Sequence, residues 1–261
     1  MNDRDNLMDF AVRTATGAGE ITLEHFGRAA VEFKGDGSEV TIADRAAEEF
    51  IRAALRDAFP DDGIVGEEGE DVPSRSGRRW IVDPIDGTRT FSSAVPLYAV
   101  LIALEEKGVP TLGCCHLPAL KETLVAADGA GAWLNGRPAR VSECDDLRDA
   151  RLVTSGLEYW RDRSTDEDRA GFDRLLRATR FARTWGDAYG YFLVATGRVD
   201  LLCDPISGSY WDYAPMNVIL RESGGRYTQF DGSPVGAWTP ALATNGRLHE
   251  AAAGVLRGDV D

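Results

Sequence analysis

Asp83 and Asp86 stand in the run Trp80-Ile81-Val82-Asp83-Pro84-Ile85-Asp86-Gly87-Thr88, where an apolar strand gives way to two carboxylates, a tight turn and a hydroxyl. Surface loops are full of aspartate, so Asp-x-x-Asp alone says little. Behind a buried strand the same pair offers hard oxygen ligands at a strand end, where folds display functional groups. Pro84 fixes the chain there and is expected to send the two acids in different directions. Gly87 lets backbone approach a ligand closely, and a short helix starting near Thr88 would point N–H groups at a phosphate.

Two more acids occupy comparable places. Glu67 follows Ile64-Val65 within Gly66-Glu67-Glu68-Gly69, and Asp212 follows Trp211 where a helix begins. Glu67, Asp83, Asp86 and Asp212 form an all-oxygen set of the kind magnesium prefers, an ion that keeps several waters and takes substrate phosphate as a further ligand. Without a cation, four clustered carboxylates would repel one another and raise each other's pKa. Thr41-Ile42-Ala43-Asp44 has two readings: Thr41 caps a helix with Asp44 in its first turn, or Asp44 orients a water. Beside Glu67, Asp83 and Thr88 the second is the better account.

Composition narrows the setting. The 261 residues, 43% of them hydrophobic, suffice for a sizeable core in one large domain or two small ones. A net charge of −14, from 29 basic and 43 acidic residues, argues against a nucleic-acid groove or an anionic membrane surface. An anionic substrate stays compatible if metal ions intervene. No apolar run reaches the roughly 18 residues of a membrane span, and Met1-Asn2-Asp3-Arg4-Asp5 lacks a signal-peptide pattern, so a cytoplasmic enzyme is expected. Cys114, Cys115, Cys144 and Cys203 show neither zinc spacing nor a disulfide framework and read as reduced, buried thiols.

The elements that must position the acids follow from periodicity. Helices are expected over residues 5–26 and from Ala43 to Ala58, with a glycine-rich turn at Lys34–Ser38 between them. Strands are expected at 64–65, 80–82 and 98–104, with hairpin turns at Lys107-Gly108 and Asn135-Gly136, making residues 63–142 mostly sheet. From about residue 150 strands (151–154, 180–184, 199–203, 225–229, 241–244) alternate with helices (165–178, 187–197, 212–223 and a last one). The polar stretch Ser142–Asp146 divides an α+β half, residues 1–145, from an α/β half, residues 146–261. The first carries most of the metal ligands, the second Asp212 and the specificity residues, in one catalytic unit.

In order and spacing these pieces resemble the inositol monophosphatase superfamily of magnesium-dependent phosphatases, from Thr41 to about Asn245 and including Glu222-Ser223-Gly224-Gly225. The resemblance implies a layered αβαβα sandwich, of the type shared with fructose-1,6-bisphosphatases, and a homodimer. It implies that Glu67, Asp83 and the Ile85 carbonyl hold one magnesium and Asp83, Asp86 and Asp212 a second, with a third, weaker ion near Glu67. Asp44, Thr88 and Glu67 would form the catalytic set around an activated water, and the Gly87 and Thr88 amides would cradle the phosphate. No phosphoenzyme is expected.

The segment Arg183-Thr184-Trp185-Gly186-Asp187-Ala188-Tyr189-Gly190-Tyr191 is similar to the histidinol-phosphate phosphatase branch, because inositol-cleaving members carry a neutral residue where Asp187 stands. Histidinol phosphate bears an ammonium group that a carboxylate attracts, whereas inositol offers only hydroxyls. The alternative for Asp187 is a helix N-cap. Arg183 is expected to brace the site or a dimer contact, and Asp204 to match an acidic substrate contact. Two departures touch the substrate rim: Ser92-Ser93-Ala94 replaces a glycine common in that branch, and the segment between Asp204 and Asp212 is one residue longer than usual. Inositol 1-phosphate, or a related polyol, sugar or specialised-metabolite phosphate, stays open as the substrate. A non-catalytic metal-binding member is the reading from another class.

Overall fold

The computed structural model describes residues 3–28, 30–33, 35 and 39–259. Apart from Gly35, the expected Lys34–Ser38 turn lies outside the described residues. Helix α1 (Asp3–His25) is followed by a small antiparallel pair, β1 (Val31–Phe33) and β2 (Glu39–Thr41), and then by α2 (Ile42–Ala58). Next come β3 (Gly63–Gly66), β4 (Arg78–Asp86), the short α3 (Thr88–Ser92), β5 (Ala99–Glu106), β6 (Val109–Leu117), β7 (Glu122–Ala127), β8 (Gly131–Leu134) and β9 (Arg137–Ala139). Strands β3 to β9 form one seven-stranded sheet in sequence order, parallel at β3–β4 and antiparallel elsewhere. Lys107-Gly108 and Asn135-Gly136 make the expected hairpin turns, with positive φ at all four residues.

The second half alternates, as its sequence pattern suggests. It contains β10 (Arg151–Val153), α4 (Leu157–Asp162), α5 (Asp166–Ala178), β11 (Phe181–Arg183), α6 (Asp187–Ala195) and β12 (Leu201–Asp204). After these come α7 (Tyr210–Ser223), β13 (Arg226–Thr228), β14 (Ala241–Thr244) and α8 (His249–Arg257). The sheet order is β11-β10-β12-β14-β13, with β10 parallel to both its neighbours and β14 antiparallel to both of its own.

Strand alternation sorts the core into layers. Val100 and Ile102 of β5 face Ala11, Ala15, Ile51 and Leu55 of α1 and α2, while Ala99 and Leu101 face the other way, toward Phe192 of α6 and Met216 and Ile219 of α7. Those two helices also cover Val153, Leu202 and Ala243 of the second sheet. Its far face, with Leu152, Leu201 and Leu242, packs against α5 and α8 through Phe172, Leu175, Ala252 and Leu256. The result is a layered αβαβα sandwich, and both sheets are covered on both sides. That explains why the Tyr98–Leu104 stretch is apolar without a break.

Candidate active site

Three acids converge between the first sheet and the α6–α7 layer. One carboxylate oxygen from each of Asp83, Asp86 and Asp212 lies within 4.8 Å of the others. A β-bulge makes this possible. On β4, Asp83 pairs with Leu101 and Asp86 pairs with Ala99, so three steps on one strand match two on the other. In a regular strand residues three apart face opposite sides, and the extra residue at Pro84-Ile85 turns Asp86 back to the side of Asp83. Pro84 has no N–H to give the ladder, which suits it to the bulge. The two aspartates therefore point the same way, not in different directions as the sequence suggested.

Local hydrogen bonds fix each acid. Asp83 Oδ1 accepts from Ile85 N at 2.9 Å, and Asp86 Oδ2 accepts from Ala188 N, in the first turn of α6, at 2.7 Å. Asp212 sits at the third position of α7 in a capping box with Ser209 and accepts the Ser209 N–H at 2.6 Å. Gly208 precedes it with φ 78°, and a Cβ there would stand 2.0 Å from Asp212 Oδ2, so only glycine leaves this carboxylate in place.

Glu67, just beyond β3, lines the same cavity of about 420 Å³, together with Ile85, Gly87 and Thr88. Burial, and then the charge of Glu67, pushes Asp83 well above the usual carboxylate range. Burial and then Asp187 do the same to Asp86, and burial pushes Asp212 up to about 7. Carboxylates held together at such cost to their anionic forms fit a hard divalent cation, which removes the repulsion.

Thr88 Oγ1 donates to the Ile85 carbonyl at 3.2 Å at the start of α3. Asp44 is fully buried and belongs to the helix cap that the first of its two sequence readings describes. Its Oδ2 accepts from Thr41 N and Thr41 Oγ1 in the capping box of α2, at 2.8 and 2.6 Å. Its Oδ1 is buried with no hydrogen-bond partner among the described residues.

The substrate-side residues part company. Asp187 lines the cavity as the first residue of α6 with φ 54°, a left-handed conformation uncommon outside glycine. Gly186 holds the N-cap position, and the side chain of Asp187 does not cap the helix. Asp204, where the sequence suggested an acidic substrate contact, also lines the cavity. It is buried, and its Oδ1 accepts from Thr154 Oγ1 and Ser155 N, its Oδ2 from Ser155 Oγ, at 2.6–2.8 Å. Ser155 Oγ in turn accepts the N–H of Asp187 at 2.8 Å. Asp204 therefore anchors the backbone of Asp187. Arg183 is not brought to the cavity: its guanidinium lies over the Phe181 ring at 5.2 Å and donates to the Ala182 carbonyl, and the residue is exposed.

Sequence reasoning missed Ser155, Tyr159, Arg89 and Trp238, all of which line the cavity. Ser155 directly follows the strand expected at 151–154 and precedes Gly156, which is a usable signal, whereas nothing local marks the other three. The four thiols are free as expected, with Cys144 half-buried and the rest buried.

A layered fold with clustered acids at a bulged strand end and a helix start suits metal-assisted chemistry on a phosphate ester. The family model described as the inositol monophosphatase family matches residues 3–259. The chain belongs to that family and is a phosphoric monoester hydrolase. It is 44% identical to a histidinol-phosphatase of Chlorobaculum parvum over 220 residues, 84% of this chain and 83% of that protein. With a histidinol-phosphatase of Mycobacterium tuberculosis the identity is 41% over 253 residues, 94% and 95% of the two chains. The solved structure of an IMPase from Thermotoga maritima superposes with a TM-score of 0.85 at 34% identity, over 97% of each chain. The family generally uses magnesium, in keeping with the acidic group at Asp83, Asp86 and Asp212.

Proposed function

We propose that the protein is a magnesium-dependent phosphatase of L-histidinol phosphate, releasing L-histidinol and phosphate. The observation that carries the substrate is Asp187, a carboxylate at the cavity wall in a strained backbone conformation. A phosphate ester carrying an ammonium group gives that charge a partner. The two histidinol-phosphatases at 44% and 41% identity support the same choice.

Glu67, Asp83 and the Ile85 carbonyl would hold one magnesium, and Asp83, Asp86 and Asp212 a second, with a third, weaker ion near Glu67. Magnesium, when bound, supplies charge neutralisation at the phosphate and a more acidic water. The protein's own residues do the positioning. Asp44 Oδ1, the buried oxygen without a partner among the described residues, would accept a hydrogen bond from the attacking water, which Thr88 and Glu67 would help to orient. The amides of Gly87 and Thr88 face the phosphate oxygens, and no side-chain nucleophile takes part. We further propose that residues 1–145 and 146–261 act as one catalytic unit in a cytoplasmic homodimer. No described helix is long and apolar enough to cross a membrane.

Phosphate release with magnesium across histidinol phosphate, inositol 1-phosphate, fructose 1,6-bisphosphate and an amino-sugar phosphate tests the substrate. Histidinol phosphate is expected to give the highest kcat/KM, and Asp187→Ser to reduce it roughly tenfold or more for amine-bearing esters alone, as for a lost charge-assisted hydrogen bond. A preference for an uncharged polyol phosphate would overturn the assignment and favour the inositol phosphate reading, which the Thermotoga maritima structure supports.

A further inference from the structure

Among the described residues, six non-glycine positions have positive φ, and two of these, Asp187 and Trp238, line the cavity. A left-handed conformation is rarer still for a bulky residue, and such strain collects at binding sites. Trp238 has φ 60° and is 59% exposed. Its loop is nevertheless held in place. Trp238 N donates to the Gly208 carbonyl at 2.8 Å, Ser207 Oγ donates to the Gly236 carbonyl at 2.5 Å, and Thr239 N donates to Ser207 Oγ at 3.3 Å. These bonds fasten residues 236–239 to the segment before Asp212.

The other aromatic residues on the cavity wall are already engaged. Tyr159 has the Arg89 guanidinium over its ring at 5.9 Å, and Tyr191 meets Tyr227 edge-on at 5.1 Å. Trp211 packs against the cluster of Ile81, Ala103 and Ala214. Trp238 has no ring or cation partner among the described residues. An indole carried on a fastened loop at the cavity wall and largely exposed is a platform for a flat ring, which aromatic faces attract beyond mere area burial.

We propose that Trp238 is a specificity-determining residue that stacks on a planar ring in the alcohol part of the ester. Asp187 reads the positive charge and Trp238 reads the ring. The proposal rests on the histidinol phosphate reading for the identity of the ring, but not for the stacking itself.

Four esters separate the two: histidinol phosphate (ring and cation), benzyl phosphate (ring alone), 2-aminoethyl phosphate (cation alone) and glycerol 1-phosphate (neither). KM and kcat are measured for the wild type, Trp238→Ala and Trp238→Phe at fixed magnesium and ionic strength. Trp238→Ala is expected to raise KM about fivefold more for the two ring-bearing esters than for the two without a ring, and Trp238→Phe to restore most of that difference. An equal rise on all four esters, or none on the ring-bearing pair, overturns the proposal. If the wild type prefers glycerol 1-phosphate to histidinol phosphate while Trp238→Ala still discriminates by ring, the substrate reading fails and the role of Trp238 stands.

Discussion

His249 Nδ1 lies 3.0 Å from Thr244 Oγ1 and its Nε2 lies 2.9 Å from Thr228 Oγ1, inside the second half and away from the acids. Burial, and then the charge of Arg226, lowers it to about 4. Between that value and the ordinary 6.5 the unfolded chain binds a proton that the folded chain refuses. Stability therefore falls as pH drops through this window, by up to about 3 kcal/mol in total. His249→Gln removes the titration and should flatten this part of the pH dependence in urea unfolding. A difference between wild type and variant that is equal at about pH 7 and about pH 4.5 would sink this account. At the same scale the legibility of the site was uneven. The acids that cluster carry their signal in neighbouring glycines, proline and apolar strands, so their convergence could be expected in advance. Asp204 and Arg183 are charged residues near the right segments, and only packing shows that one is tied to Thr154 and Ser155 while the other faces away.

The elements were legible where a local rule governs them. The capping box at Thr41 and Asp44, the two hairpin turns and the long apolar run of β5 all follow from residues within a few positions of each other. The bulge in β4 does not, because a register shift belongs to two strands and only one of them contains Pro84. Helix α4 escaped notice too: it has only six residues and its N-cap, Gly156, makes no side-chain bond. The start of α7 yields a sharp expectation. Gly208→Ala forces Asp212 off its position and strains a backbone at φ 78°. Fold and far-UV spectrum should persist, while the magnesium concentration for half-maximal activity rises about 10–100-fold, the range seen when residues supporting a metal ligand are changed. An unchanged magnesium requirement would show that Asp212 tolerates the methyl group.

Across the whole molecule the site joins both halves: Glu67, Asp83 and Asp86 come from the first, Asp187 and Asp212 from the second, and α6 and α7 fill the layer between the sheets. Ion binding should therefore stiffen the protein as a unit. At a magnesium concentration about 100 times Kd, linkage adds about 2.7 kcal/mol, or roughly 5–10 °C in Tm for a chain of this size. Calorimetry with magnesium and then with EDTA checks the shift. Asp83→Asn should abolish most of it, and an equal shift in the variant would place the stabilising ions elsewhere. Fold class was readable at this scale from the change between a sheet-rich and an alternating pattern. The sharing of α6 and α7 by both sheets was not, because it depends on contacts between distant segments.

The first two amides of α6 lead to different places: Asp187 N–H to Ser155, and from there to Asp204, and Ala188 N–H to Asp86, one of the proposed metal ligands. Adjacent peptide groups thus join substrate choice to metal geometry. For redesign this means that the side chain at 187 can be exchanged, but the backbone there cannot be moved independently of Asp86. A graft that changes the preferred alcohol must carry Ser155 and Asp204 with it, or the new specificity will come with a disturbed ion site.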